Sequence, residues 1–247
     1  MRKKSKKLIT SFFLCLLMST LSIYTCAWAW EEGGYCGNDP MTPDVVWSFI
    51  KHFSYEQYYC SAEHQFTYNN NNRVDAMDFA YYCGHGSPGQ IGVWANGACY
   101  GSSASVDLCN AGYSFHKGYG DADLEFMVFH SCGVIPSPIE VGGNWWQCWV
   151  CQPNDIFDGL HQALGFRTST HKSTAVAIAD FFGARMAGNN LVWQSWFDAI
   201  NACGDHSIGW DYGAALMYPP AENDRYKYSH CTDPPEHHCD LRIWWQY

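Results

Sequence analysis

Positive charge is scarce in this sequence. Its 247 residues include 14 Lys and Arg against 24 Asp and Glu, and five of the basic ones, Arg2, Lys3, Lys4, Lys6 and Lys7, crowd into the first seven positions. Without that segment nine basic side chains would face 24 acidic ones, a formal charge of −15, which argues against nucleic acid or an anionic membrane as partner. Long apolar runs are also lacking: outside Leu8 to Tyr24, no stretch is apolar for long enough to cross a bilayer. No internal repeat and no linker divides the chain, so one domain is expected. What is abundant is aromatic surface: 12 Trp, 16 Tyr and 14 Phe imply a packed core rather than a disordered chain.

The basic start, the apolar block and the small residues Ala27 and Ala29 predict a secretory signal peptide over 1–29 rather than a membrane span. Acylation of Cys26, as in a lipoprotein, is disfavoured because Ile23-Tyr24-Thr25 offers no small residue just before that cysteine. The expectation is therefore a mature domain of about 218 residues, 30–247, that is secreted, periplasmic or at the cell surface, with no membrane attachment after cleavage. Thirteen cysteines are present, and Cys15 and Cys26 would leave with the signal. The other 11 are an odd number, so in an oxidising compartment at least one thiol stays unpaired while disulfides staple the loops.

Residues 31–41 read as a glycine-rich loop or short edge strand. Thr42-Pro43-Asp44 predicts the start of a helix to about 53, and 54–73 a polar surface loop pinned through Cys60. A buried strand follows over 75–83, then a hairpin of 91–94 with 98–100 around Asn96-Gly97, an aperiodic stretch over 101–122, and a second buried strand over 123–131. Asn154 or Asp155 would cap a helix through Leu164 closed by Gly165, before a third strand over 166–171. Helices from Ser173 or Thr174 to Ala187 and from Leu191 to about Gly204, then a strand over 213–218, complete an α/β core of about 42–220. A polar tail over 221–247, stapled through Cys231 and Cys239, follows it.

Two strand endings stand out. Phe79-Ala80-Tyr81-Tyr82-Cys83 runs into Gly84-His85-Gly86, and Phe126-Met127-Val128-Phe129-His130 into Ser131-Cys132-Gly133. Strands buried on both faces belong to parallel sheets, whose chemistry sits where the strands end. The 47-residue interval between His85 and Cys132 suffices for one crossover, so neighbouring strands would bring the two together. A thiol attacks as thiolate and needs a base beside it, and an attacked carbonyl needs donors for its developing oxyanion. Histidine, cysteine and their glycine neighbours supply those parts. The competing reading pairs Cys83 with Cys132 in a disulfide that would kill or gate the site.

Apolar strand, His-Gly, spacer, apolar strand, small residue and Cys resembles the caspase-fold cysteine peptidases, the clan of caspases, legumains, gingipains, clostripain and separase. The matching residues are Gly84-His85-Gly86 and His130-Ser131-Cys132-Gly133, with Ser131 where the family usually has alanine. The stretch 159–166, the later helix pair and the 213–218 strand are also similar to bacterial secreted members. The resemblance implies a three-layer sandwich, a mostly parallel sheet with helices on both faces, and a secreted endopeptidase acting on protein or peptide without a cofactor. It implies Cys132 as nucleophile, His85 as general base, and the backbone N–H groups of Gly86 and Cys132 as oxyanion hole. His130, on the same strand, could tune the thiol. The strand that in the family precedes the first helix is missing or very short here, and no residue marks the base of a specificity pocket. The alternative is a non-catalytic secreted binding module on the same fold, its aromatic loops, with Trp145, Trp146 and Trp149, holding protein or glycan. His230-Cys231 with His237-His238-Cys239, completed by Cys148 and Cys151, has the residue types of a zinc site, but in an exported chain reads better as disulfides, so no metal is expected. His116, His161 and His171 stand alone and read as surface or satisfied buried groups.

Overall fold

In the computed structural model the described residues are 30–54, 56–108, 118–143, 149–150, 155–227, 234–235 and 239–247. The expected signal peptide, His116, Trp145, Trp146 and most of the zinc-type cluster lie outside them. Strand β1 (Glu32–Cys36) opens the fold, followed by helix α1 (Thr42–Ile50), β2 (Glu56–Cys60), a four-residue helix α2 (Glu63–Phe66) and β3 (Phe79–Cys83). A small hairpin sheet comes next, built from β4 (Gly86–Ser87), β5 (Gln90–Trp94) and β6 (Ser103–Asp107). Then follow β7 (Phe126–His130), the short α3 (Pro138–Val141), β8 (Gln162–Phe166), α4 (Lys172–Ala187), α5 (Val192–Cys203), β9 (Gly213–Met217) and β10 (Arg242–Trp245).

Seven strands form one sheet in the order β10-β9-β8-β7-β3-β1-β2. From β2 to β8 the pairs are parallel, while β8–β9 and β9–β10 are antiparallel. The molecule is thus an α/β structure on a mostly parallel sheet. Alternation along the strands sends Phe79, Tyr81, Phe126, Val128, Leu164 and Phe166 to one face, and Ala80, Tyr82, Met127, Phe129 and Ala163 to the other. The first face is covered by α1, α4 and α5 through Val46, Phe49, Ile178, Phe182, Trp196 and Ile200. Phe49 stacks on Tyr81 with ring centroids 4.3 Å apart and lies 5.5 Å from Phe182, which locks α1 and α4 to β3. Each such buried ring contributes roughly 1.5–3 kcal/mol of hydrophobic stabilisation.

Among the described residues the long helices all lie on that one face. Among the described residues the opposite face is covered by the hairpin sheet, by α2 through Phe66, and by irregular chain carrying Tyr119, Trp149, Ile156 and Phe157. A helix through Leu164 was expected from the run Ile156, Phe157, Leu160, Ala163 and Leu164, but residues 162–166 are a strand between β7 and β9. Gly159, at φ +117°, breaks any helix there, and its backbone lies so close on Gly120 that a Cβ would come within 2.2 Å of the Gly120 carbonyl oxygen. The third strand accordingly ends at Phe166, where it was expected to begin.

The N-terminal strand is present and internal, correcting its reading as loop, edge strand or missing element. β1 lies between β3 and β2, and α1 packs on it so closely that a Cβ at Gly34 would sit 2.4 Å from Val46 Cγ1. The same glycines that mimic a loop in the sequence allow that approach. The expected loop over 54–73 contains β2 and α2, and its predicted anchor holds: Cys60 is bridged to Cys99. The hairpin is also present, but its second strand is 103–107 rather than 98–100. β10, in the polar tail, extends the sheet, and Cys239 is disulfide-bonded.

Candidate active site

Register brings the two strand endings together. β3 and β7 are adjacent and parallel, with Cys83 opposite His130, so His85 and Cys132, each two residues further on, leave the sheet at the same edge. Both line one pocket together with Asp39, Met41, Thr42, Val45, Cys83, His130, Thr170, His171, Lys172 and Ala175. Cys132 is partly exposed and unbridged, and Cys83 is likewise a free buried thiol, so the two do not form the disulfide that would have closed the site.

Each side chain is held by its local chain. The His85 carbonyl accepts from Gly92 N–H at 2.8 Å and from the Tyr82 hydroxyl at 3.1 Å, which fixes the turn out of β3. Gly86 follows because Ser131 crowds it: a Cβ there would lie 2.8 Å from Ser131 Oγ and 2.6 Å from Val134 Cγ2. On the other strand Gly133 takes φ +55°, a left-handed turn that suits glycine, and its N–H donates to Thr168 O at 2.8 Å, tying the Cys132 turn to the end of β8. Thr170, from that same end, donates its N–H to Cys132 Sγ at 3.4 Å, while its carbonyl lies 3.9 Å from the sulfur. Two helices begin at the pocket, α1 at Thr42 and α4 at Lys172, and their first-turn N–H groups carry positive partial charge.

Asp39, just beyond β1, organises the charges. Its Oδ2 lies 2.5 Å from Lys172 Nζ and 3.4 Å from His85 Nε2, and its Oδ1 accepts from Met41 N–H. Partial burial pushes the Asp39 carboxyl up, but the Lys172 and Met41 hydrogen bonds and the His85 ring outweigh it and hold it below the usual carboxylate range. A carboxylate facing Nε2 orients the ring and leaves Nδ1 as the nitrogen able to take a proton. His130 lines the pocket from within its wall. It is buried among Tyr81, Phe166 and Trp196, its Nδ1 2.6 Å from the Tyr81 hydroxyl, and burial, partly offset by Asp211, lowers its pKa to about 4. A neutral buried imidazole contributes shape and one hydrogen-bonding nitrogen rather than charge.

For the two oxyanion donors named from the sequence, the backbone geometry is as follows. Gly86 stands opposite Ile91 while the flanking pair, His85 with Gly92, is hydrogen-bonded, so ladder alternation turns the Gly86 N–H away from β5. Among the described residues no acceptor meets the Cys132 N–H. Asp39, Thr170, His171 and Lys172 were not identified from the sequence. His171, expected at the surface or satisfied in the core, lines the pocket, with its ring 4.8 Å from Trp210. The signal for Asp39 was hidden with the strand before it, and Lys172 precedes the Ser173 taken as the helix start. His161 is buried and bonded to Asp224 at 2.7 Å, as a satisfied core histidine should be. Trp149 is fully buried. Among the described residues no three His, Cys, Asp or Glu side chains converge as a metal site, and Cys239 of the zinc-type cluster is engaged in a disulfide.

No curated protein matches the sequence. A family model described as Domain of unknown function (DUF6345) matches residues 45–247. That span covers β3, β7 and the turns bearing His85 and Cys132, and the chain therefore belongs to the DUF6345 family.

Proposed function

We propose that this protein is an exported cysteine endopeptidase-like hydrolase of the caspase-like fold, with Cys132 as nucleophile and His85 as general base. The observation that carries the reading is the convergence of a free, partly exposed thiol and a carboxylate-paired histidine in one pocket at the C-terminal edge of a parallel sheet. In the reaction His85 takes the Cys132 proton, and the sulfur bonds to the substrate carbonyl carbon as the carbonyl oxygen gathers charge toward the Gly86 and Cys132 N–H groups. The C–N bond then breaks, with the His85 proton leaving on the amine. Water, deprotonated by His85, attacks the thioester and releases the carboxylic acid and the thiol. The chain itself supplies every group used, so the reading calls for no cofactor. Export is supported by the Cys60–Cys99 bridge, which needs an oxidising compartment to persist.

The test is peptide hydrolysis by the purified mature chain. A mixed peptide library should be cleaved at internal bonds, and Cys132→Ala should lower turnover by at least about 1,000-fold. An uncleaved library, or cleavage unchanged in Cys132→Ala, would refute the assignment and leave the binding-module alternative.

A further inference from the structure

The pocket beside Cys132 contains polar atoms that the protein does not satisfy. His130 Nε2 is buried with no hydrogen-bond partner, and so is Thr170 Oγ1, and both residues line the pocket. Buried polar atoms without partners are uncommon and costly, and in a site they mark where a ligand's polar atoms belong. The proton on His130 follows from Tyr81. That hydroxyl is fully buried, and among the described residues His130 Nδ1 is its only hydrogen-bond partner, so its hydrogen is used only if it donates to Nδ1. Nδ1 is then the acceptor, and Nε2 carries the N–H.

The remaining wall is either apolar or already neutralised. Met41, Val45, Cys83 and Ala175 supply apolar surface. Asp39 is shared between Lys172, Met41 N–H and His85, so a substrate cation would have to displace Lys172. A substrate anion would meet Asp39 in the pocket wall and the charge of Asp211, which is felt at His130. Asp211 is buried and already accepts from His171 N–H, Asp205 N–H and the Thr174 hydroxyl. Thr42 Oγ1 donates to Gly37 O and Asp39 O, and His171 Nδ1 is bonded to the Ser173 hydroxyl, so the buried polar atoms left without a partner in this lining are one neutral donor and one hydroxyl.

We infer that this pocket takes a substrate residue with an uncharged carboxamide side chain, asparagine or glutamine, whose carbonyl oxygen accepts from His130 Nε2 and whose amide group donates to Thr170 Oγ1. The inference rests on the hydrolase reading for its meaning as a cleavage preference, but recognition can be measured without turnover. Sites that hydrogen-bond a substrate group discriminate strongly against analogues that leave buried partners unpaired.

The experiment titrates Cys132→Ala with N-acetylated pentapeptides Ala-Ala-X-Ala-Ala, X being Asn, Gln, Asp, Lys or Leu, followed by NMR, and in parallel measures cleavage of the same peptides by the wild-type chain. Asn or Gln should bind at least about tenfold more tightly than Asp, Lys and Leu, the worth of one or two net hydrogen bonds. Thr170→Val and His130→Phe, the second checked for folding by near-UV circular dichroism, should each reduce the Asn-to-Leu affinity ratio about tenfold. A ratio unchanged in Thr170→Val alone would overturn the assignment even if His130→Phe does not fold. Preference for Asp, Lys or Leu, or no measurable binding of any peptide, would also overturn it. Carboxamide-selective binding without cleavage would uphold the pocket and sink the hydrolase reading, whereas cleavage favouring a charged residue would do the reverse.

Discussion

Asp39 accepts hydrogen bonds from Met41 and Lys172 while facing His85 Nε2 at 3.4 Å, so one carboxylate links His85, the proposed base, to the start of α4. It does not touch the reacting atoms, and its role is positioning. Asp39→Asn should retain the fold and lower kcat about tenfold to a hundredfold with little change in KM, measured by steady-state cleavage of the best library peptide. A merely structural carboxylate would change stability and leave that split absent. The meeting of His85 and Cys132 at one sheet edge was legible from the sequence because each ends an apolar run beside glycine, a pattern local to a few residues. Asp39, Thr170 and Lys172 were not, because their roles depend on β1 lying next to β3 and on the end of β8 crossing to Cys132, contacts that no local pattern encodes.

Among the elements, β1 and β8 show where periodicity misleads. β1 is glycine-rich because α1 lies almost on its backbone, and β8 is preceded by apolar residues whose spacing mimics a helix. In both, tertiary packing decided against the local signal. Gly159→Ala tests this directly: at φ +117° with its Cα region against Gly120, an added methyl group should destabilise the fold by about 3 kcal/mol or more, read as a lowered urea midpoint. α1, α4, α5 and β9 were readable since each has a strong apolar pattern and a clear boundary. Cys60–Cys99 ties the end of β2 to the turn between β5 and β6 across 39 residues of sequence, and Cys99→Ser should cost about 2–4 kcal/mol by the same assay.

At the scale of the whole molecule, titration of buried groups should shape stability against pH. Asp75 is pushed up to about 9 by burial and by Asp121, against the N–H bonds from Gly120 and Ala122, and Glu32 is pushed up to about 7 by burial despite its bond from Tyr226. Carboxyls raised in the folded state stabilise fully below their unfolded values near pH 4, and that contribution fades as pH rises to about 7 for Glu32 and about 9 for Asp75. His130, lowered to about 4, acts oppositely: its contribution is present above pH 6.5 and is lost as pH falls through about 4. Urea unfolding of Asp75→Asn should therefore show a flatter decline between pH 5 and 8 than the parent chain, and a decline of equal slope would contradict the protonated state of Asp75.

The parallel sheet, the free thiol and the carboxylate-held histidine together make one central claim, that Cys132 is a nucleophile activated by His85. Incubating the mature chain with an electrophilic peptide probe and mapping the adduct by mass spectrometry tests it most directly. The account predicts a single adduct on Cys132 that forms at least about 100-fold more slowly in His85→Ala. Labelling that is absent at Cys132, or equally fast without His85, would contradict it.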